Sequence, residues 1–133
     1  MIAIDTSALI AIFRLEPEAD DFLKAIVHAE GRAVSALSVL ECSMVMSGGA
    51  ADGSAFEPLD EFLVEAGIAI VAFDAEQAGL ARQAFLRFGK GRHKAGLNMG
   101  DCASYALARS RRLPLLFKGD DFRHTDIIAA LPD

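Results

Sequence analysis

At 133 residues the chain has room for one hydrophobic core, and a single domain over 1–133 is expected. With 53% hydrophobic and 24% charged residues it reads as globular rather than disordered, and no apolar run approaches the roughly 20 residues of a membrane-spanning helix. Its net charge of −6, from 19 acidic against 13 basic residues, argues at face value against nucleic acid, unless several acids converge on divalent cations whose own charge enters the sum.

Met1 to Ile4 form an apolar run without a turn signal, the pattern of a strand buried on both faces of a parallel sheet. Asp5 follows abruptly, then a helical run from Ala8 to Phe13 that Thr6 or Ser7 can cap. Glu16-Pro17-Glu18 opens a second helix, with Ala19, Phe22, Leu23, Ile26 and Val27 on one face and Gly31 at its end. Ala33-Val34 makes a short strand, and Ser35 or Ser38 caps a third helix reaching Ser47, where Gly48-Gly49 stops it. Leu59, Phe62, Leu63 and Ala66 mark a fourth helix ended by Gly67, and Ile68 to Phe73 is the clearest strand of the chain. Asp74 with Gln77 reads as a capping box on a helix reaching Phe88, with Ala78, Ala81, Ala84, Phe85 and Phe88 inward. A basic, glycine-containing loop spans 89–98, and Asp101 begins a helix reaching Arg112. Pro114 precedes a strand over Leu115–Phe117, and residues 126–130 suggest a final short strand. This alternation predicts an α/β fold, a mostly parallel sheet of four to five short strands between two layers of helices. Cys42 and Cys102, each among small apolar neighbours, read as reduced core thiols. With no basic region before the first apolar segment there is no secretory signal to read, and a cytoplasmic location is expected.

Four acidic positions stand out. Asp5 ends a strand, where open α/β sheets place their ligands, although a turn or cap would equally use it. Glu41 is the one charged residue between Arg32 and Asp52, in a helix apolar on every side and so expected to be buried. A lone carboxylate there is costly to keep ionised without a partner, unless it is a neutral core Glu or faces a solvated edge. Asp101 begins its helix beside Asn98 and Gly100, and a plain N-cap would also explain it. Asp120 and Asp121 follow the Leu115–Phe117 strand; adjacent side chains diverge, so one of the two faces the site. All four positions can gather at one edge of a parallel sheet. Four carboxylates with no His or Cys among them suit Mg²⁺ or Mn²⁺ rather than zinc, and an all-oxygen cluster is what a two-metal phosphodiester hydrolase requires. Asp74 has its cap to explain it and stays outside the site. No side chain has the surroundings of a covalent nucleophile, and there is no Gly-x-Ser-x-Gly elbow.

Ile4-Asp5-Thr6-Ser7-Ala8-Leu9, then Glu41, then Gly100-Asp101-Cys102, then Leu115-Leu116-Phe117-Lys118-Gly119-Asp120-Asp121-Phe122 resemble, in order and spacing, a PIN domain. The stretch from Phe88 to Asn98, Phe-Gly-Lys-Gly-Arg-His-Lys-Ala-Gly-Leu-Asn, narrows the resemblance to VapC-type toxin ribonucleases of toxin–antitoxin pairs. The resemblance implies a PIN-like α/β/α sandwich and a Mg²⁺- or Mn²⁺-dependent endoribonuclease acting on tRNA, rRNA or mRNA through a metal-activated water. It also implies a homodimer and a cognate VapB-like antitoxin. Carried onto this sequence, Asp5, Glu41 and Asp101 match the acidic triad and Asp121 the fourth acid, with Asp120 as its alternative. Thr6 and Ser38 are expected as hydroxyls orienting carboxylates or water.

Lys90, Arg92, His93 and Lys94, on the mobile loop before Asp101, are candidates for RNA phosphate contacts; Arg109, Arg111, Arg112, Lys118, Arg123 and His124 could widen the patch. Two rival readings remain at this level. A receiver-like signalling domain also places Asp at strand ends, but expects an acidic pair after the first strand and has no role for Glu41. A catalytically inactive PIN-like binding module would keep the acids without turnover.

Overall fold

The structure, a computed structural model, describes residues 1–50 and 52–132. In chain order the elements are β1 (Ile2–Ile4), α1 (Thr6–Phe13), α2 (Ala19–His28), β2 (Arg32–Ser35), α3 (Ala36–Ser47), α4 (Phe56–Glu65), β3 (Ile68–Val71), α5 (Ala75–Phe88), α6 (Met99–Arg111) and β4 (Leu115–Leu116), followed by a 3₁₀ turn at Asp121–His124. The sheet runs β3-β2-β1-β4 and every pairing is parallel.

Side-chain alternation along the strands sorts the helices into two layers. Ile2, Ile4, Val34, Ile68 and Leu116 face a core shared with α1, α2, α3 and α4. Ala3, Ala33 and Leu115 face the opposite core, with Ala84 and Phe88 of α5 and Cys102, Tyr105, Leu107 and Ala108 of α6. The chain steps outward from β1 to β2 to β3, then returns past β1 to lay β4 on its other side. The order therefore reverses between β1 and β4, and the crevice beyond their carboxyl ends is where such sheets hold ligands.

Several local expectations are corrected. The cap of α1 is Asp5 itself, which accepts from the Ser7 N–H, rather than Thr6 or Ser7. Ser35, and not Ser38, caps α3. Asp74 caps α5 by accepting from the Gln77 N–H, but the Gln77 side chain turns to donate to Ser110 on α6, so the box is half-made. The strand predicted over Ile68–Phe73 stops at Val71 and forms the sheet edge, with Ile70 exposed. Residues 126–130 supply only a bridge between Leu115 and Ala129. Val27 and Phe85, expected inward, are exposed; the Phe85 ring lies under the Arg92 guanidinium instead.

The largest departure is α3. It packs against α1 and α6 on one stripe, burying Ser38 and Cys42, while Leu40 and Met44 are 56% and 65% exposed. Its apolar residues outnumber those this chain covers.

Behind α6 the C-terminal segment is anchored by one carboxylate. The buried Tyr105 hydroxyl donates to Asp126 Oδ1 at 2.7 Å, and Arg87 and Arg109 approach Oδ2 at 3.4 and 3.7 Å. Against its own partial desolvation, these partners hold the Asp126 carboxyl below its ordinary range, while burial and the Asp126 charge push the Tyr105 phenol up to about 12. Both arginines are half-exposed, so their pairs contribute only a few tenths of a kcal/mol, whereas a sheltered hydrogen bond to a charge contributes about 1.5–3 kcal/mol. Tyr105→Phe is therefore expected to lower the urea unfolding free energy by about 1–2 kcal/mol, and Arg87→Ala by under about 0.5 kcal/mol.

Candidate active site

Asp5 extends β1 by one residue, its N–H donating to the Leu116 carbonyl of β4 at 2.9 Å. The side chain is 3% exposed, yet both oxygens are satisfied. Oδ2 accepts from the Ser7 hydroxyl at 2.6 Å and the Ser7 N–H at 3.0 Å, and Oδ1 accepts from the Ser104 hydroxyl at 2.5 Å. A buried carboxylate is tolerable on these terms because charge-assisted hydrogen bonds replace its water.

Asp101 is not the N-cap of α6. Asn98 is, and Asp101 stands at the third helical position, where the two make a reciprocal box: Asp101 N–H donates to Asn98 Oδ1 and Asn98 N–H to Asp101 Oδ2. Burial, foremost, and the Asp5 charge push the Asp101 carboxyl up to about 7; the Asn98 hydrogen bond opposes the rise, and Asp121 and Glu41 add to it. The four acids therefore share one electrostatic neighbourhood. Of the adjacent pair after β4, Asp121 is the one whose charge reaches Asp101. It opens the 3₁₀ turn, exposed like Asp120.

Glu41 is half-buried rather than enclosed in a buried helix. Its carboxylate lies across the first turn of α6 at Gly100, where an added Cβ would clash with both carboxylate oxygens. Gly100 makes that approach possible, and the helix N-terminus favours a negative charge there.

Among the described residues, no ion pair involves Asp5, Glu41, Asp101 or Asp121; the nearby Lys118 ammonium is taken by Glu16 and Glu18 at 2.6 and 3.2 Å. Nor do any three His, Cys, Asp or Glu side chains there already close tightly enough to hold an ion. What the chain assembles is an uncompensated group of oxygen donors, a set that suits a hard divalent cation once the exposed members turn inward.

The expected hydroxyls act at one remove. Thr6 donates to the Ser38 carbonyl at 3.3 Å, and Ser38 contacts Ser104 rather than a carboxylate. Sequence reasoning missed the two residues that touch Asp5. Ser104 stands three residues after Asp101 and so on the same helix face, the signal that could have found it; Ser7 stands two after Asp5, the spacing of a local Asx contact. Cys42 and Cys102 are free and buried, and burial, with neighbouring carboxylates, pushes their thiols up to about 12 and about 11. Neither is a nucleophile at neutral pH.

Lys90, Arg92 and Lys94 are exposed on the loop leading to Asn98, whereas His93 is half-buried, accepting from the Ala95 N–H through Nδ1 and packing edge-on to Phe88. Arg109, through Asp126, and Lys118 are held in ion pairs away from such a patch. Beside the loop runs a groove of about 630 Å³ lined by apolar side chains of α3, α5 and α6, among them Leu37, Phe85 and Met99.

The sequence pattern of the PIN domain matches residues 2–128. The chain belongs to the PIN-domain family, among its VapC ribonucleases. It is similar to a Ribonuclease VapC of Mycolicibacterium smegmatis, 48% identical over 96% of this chain and 98% of that protein. Ribonuclease VapC30 of Mycobacterium tuberculosis is 47% identical over 98% of this chain and all of that protein. Among solved structures, VapC20 of Mycobacterium tuberculosis, a sarcin-ricin loop cleaving toxin, superposes with a TM-score of 0.78 at 14% identity over 99% of this chain and 100% of its own. A toxin–antitoxin complex from Klebsiella pneumoniae gives 0.71 at 21% identity over 98% of each chain. At such identities these likenesses establish the PIN fold. The receiver-like alternative falls with them.

The raised Asp101 carboxyl has a measurable consequence for this PIN domain. Between about pH 4 and 7 the unfolded chain releases that proton while the folded chain keeps it, so the folded state binds more protons and loses stability as pH rises through the window. With divalent ions removed, Asp101→Asn is expected to flatten the profile, gaining on the parent by on the order of 1–2 kcal/mol between pH 4.5 and 7.5 after solvent screening. Parallel urea-unfolding profiles for the two proteins would remove the explanation.

Proposed function

We propose that this chain is the toxin of a VapBC-type toxin–antitoxin pair, an endoribonuclease that hydrolyses RNA phosphodiester bonds. The observation that carries the reading is the gathering of four carboxylates, with no basic partner among the described residues, at the crevice between β1 and β4 of a VapC-family fold. Asp5, Glu41, Asp101 and Asp121 are the residues that would hold Mg²⁺ or Mn²⁺, with Asp120 as the alternative to Asp121. A divalent cation bound there lowers the pKa of its water and neutralises charge developing on the phosphodiester.

The chain's own part is positional. Ser7 and Ser104 fix both oxygens of Asp5, and the capping box fixes Asp101, so two acids are set before substrate arrives. Asp121, on an exposed turn, would join them by turning inward. Lys90, Arg92, His93 and Lys94 would hold the phosphates of tRNA, rRNA or mRNA: Lys90, Arg92 and Lys94 are exposed, Arg92 over the Phe85 ring, and His93 shapes the loop. The exposed apolar residues of α3 and the neighbouring groove support two further partners, a second copy of the chain and a VapB-like antitoxin. Among the described residues no helix is long and apolar enough to cross a membrane, in keeping with action on RNA in the cytoplasm.

Purified protein is expected to cleave RNA with Mg²⁺ or Mn²⁺ and to stop when EDTA removes them. Asp5→Asn and Asp101→Asn should each lower cleavage by at least about 100-fold with an unchanged circular dichroism spectrum. Full activity in folded Asp5→Asn would overturn the assignment, and metal-dependent binding without turnover in the parent would favour an inactive module.

The basic loop has its own measurement. In an Asp5→Asn background, removing Lys90, Arg92 and Lys94 together is expected to reduce the slope of log affinity against log salt by about 2 for single-stranded RNA, at roughly 0.7 per lost contact. An unchanged slope would exclude phosphate contact by the loop.

A further inference from the structure

Asp5 is connected through serine hydroxyls to each of the three elements that carry the other acids. A carboxylate only accepts, so the directions of these bonds follow. Ser104 spends its one proton on Asp5 Oδ1 and must therefore accept from Ser38, whose oxygen lies 3.3 Å away. Ser7 spends its proton on Asp5 Oδ2 and accepts from the Lys118 N–H at 2.9 Å. Two relays run inward to one carboxylate: Ser38 to Ser104 to Oδ1, and Lys118 N–H to Ser7 to Oδ2. Three of their members stand in register with the acids. Ser38 is three residues before Glu41 on α3, Ser104 three after Asp101 on α6, and Lys118 three before Asp121 after β4. Ser38 and Ser104 are fully buried, so no water substitutes for either proton. Chains of this kind strengthen each bond through its neighbour.

We propose that Ser104 is a positioning residue: with Ser38 behind it, it holds Asp5 in register with α3 and α6 and so sets the spacing at which Asp5, Glu41 and Asp101 receive their cation. This rests on the metal-dependent reading above and adds to it the residue that pre-arranges the carboxylates. A buried serine serving only to fill space would tolerate alanine without consequence for ion affinity.

The test is a double-mutant cycle on Mn²⁺ affinity, measured by calorimetry on full-length protein, with RNA cleavage alongside. Ser104→Ala is expected to keep the circular dichroism spectrum, weaken Mn²⁺ about tenfold and lower kcat about 10–100-fold with KM within twofold, the range of losses when groups behind metal ligands are removed. Ser38→Ala should weaken Mn²⁺ by a few-fold, and the double variant should bind no worse than Ser104→Ala, because Ser38 acts only through Ser104. Ser104→Cys, which keeps a weak donor, should recover part of the affinity. Mn²⁺ affinity within twofold of the parent in folded Ser104→Ala, or losses that add in the double variant, overturns the proposal while leaving the ribonuclease reading intact. If Ser104→Ala does not fold, Ser38→Ala decides, and unchanged affinity there overturns it equally. A parent that neither binds Mn²⁺ nor cleaves RNA overturns both.

Discussion

A carboxylate 3% exposed to solvent is a liability unless the hydrogen bonds it loses to water are replaced, and the arrangement at Asp5 follows from meeting that condition. Ser7 is supplied locally, by the turn into α1. Ser104 is not: it arrives from α6, which must cross the end of β1 at close range for its hydroxyl to come within 2.5 Å. That approach is allowed by small residues on this face of the sheet, Ala3 on β1 and Ala33 on β2, where the opposite face carries Ile2, Ile4 and Val34. The asymmetry is thus more than core filling. Large β-branched residues separate α1 and α3 from the strands, while alanines let α6 settle against them, and the helix so placed brings Asp101 with it.

The same helix accommodates the acid from the other layer. Glu41 comes from α3, and its carboxylate rests over Gly100 because no Cβ stands there. A carboxylate beside a helix N-terminus gains from the partial positive charge of the free N–H groups, so α6 offsets some of the repulsion that gathering these acids creates. It does not offset all of it: burial foremost, and then the charges of Asp5, Asp121 and Glu41, still push the Asp101 carboxyl up to about 7. The remainder is the electrostatic deficit a divalent cation would fill.

How much of this was legible in the sequence depended on the range of the forces involved. The strands, the helices and the strand-end position of Asp5 follow from periodicity and abrupt polarity changes, which are local. Caps were less secure, since Asp5, Thr6 and Ser7 are all competent and only the backbone's path chooses Asp5. The spacing of Asp74 and Gln77 suggests a capping box because the competing partner, Ser110, is 33 residues away. Ser104 carries a signal in its spacing from Asp101, but the partner that gives it a role lies 99 residues back along the chain. The exposure of α3 is hidden on different grounds. A helix apolar on all sides reports how much surface needs covering, and nothing in that pattern says whether the cover belongs to the same chain.

The acidity that argued against nucleic acid loses its force once charges are placed. A global sum of −6 weights every carboxylate equally, but a phosphodiester backbone samples the field within about 8–10 Å, the screening length at physiological salt. Glu16 and Glu18 are spent on Lys118, and Asp126 on Tyr105 and two arginines, so none of these acts at full strength on an approaching strand. The acids of the crevice have no ion-pair partner among the described residues, and a divalent cation bound there would offset their charge at the point where a phosphate must come closest. Beside them Lys90, Arg92 and Lys94 stand exposed on a loop joined directly to the helix that carries Asp101. Net charge therefore constrains solubility and long-range approach, whereas the pairing of individual carboxylates decides whether RNA can be held at this crevice.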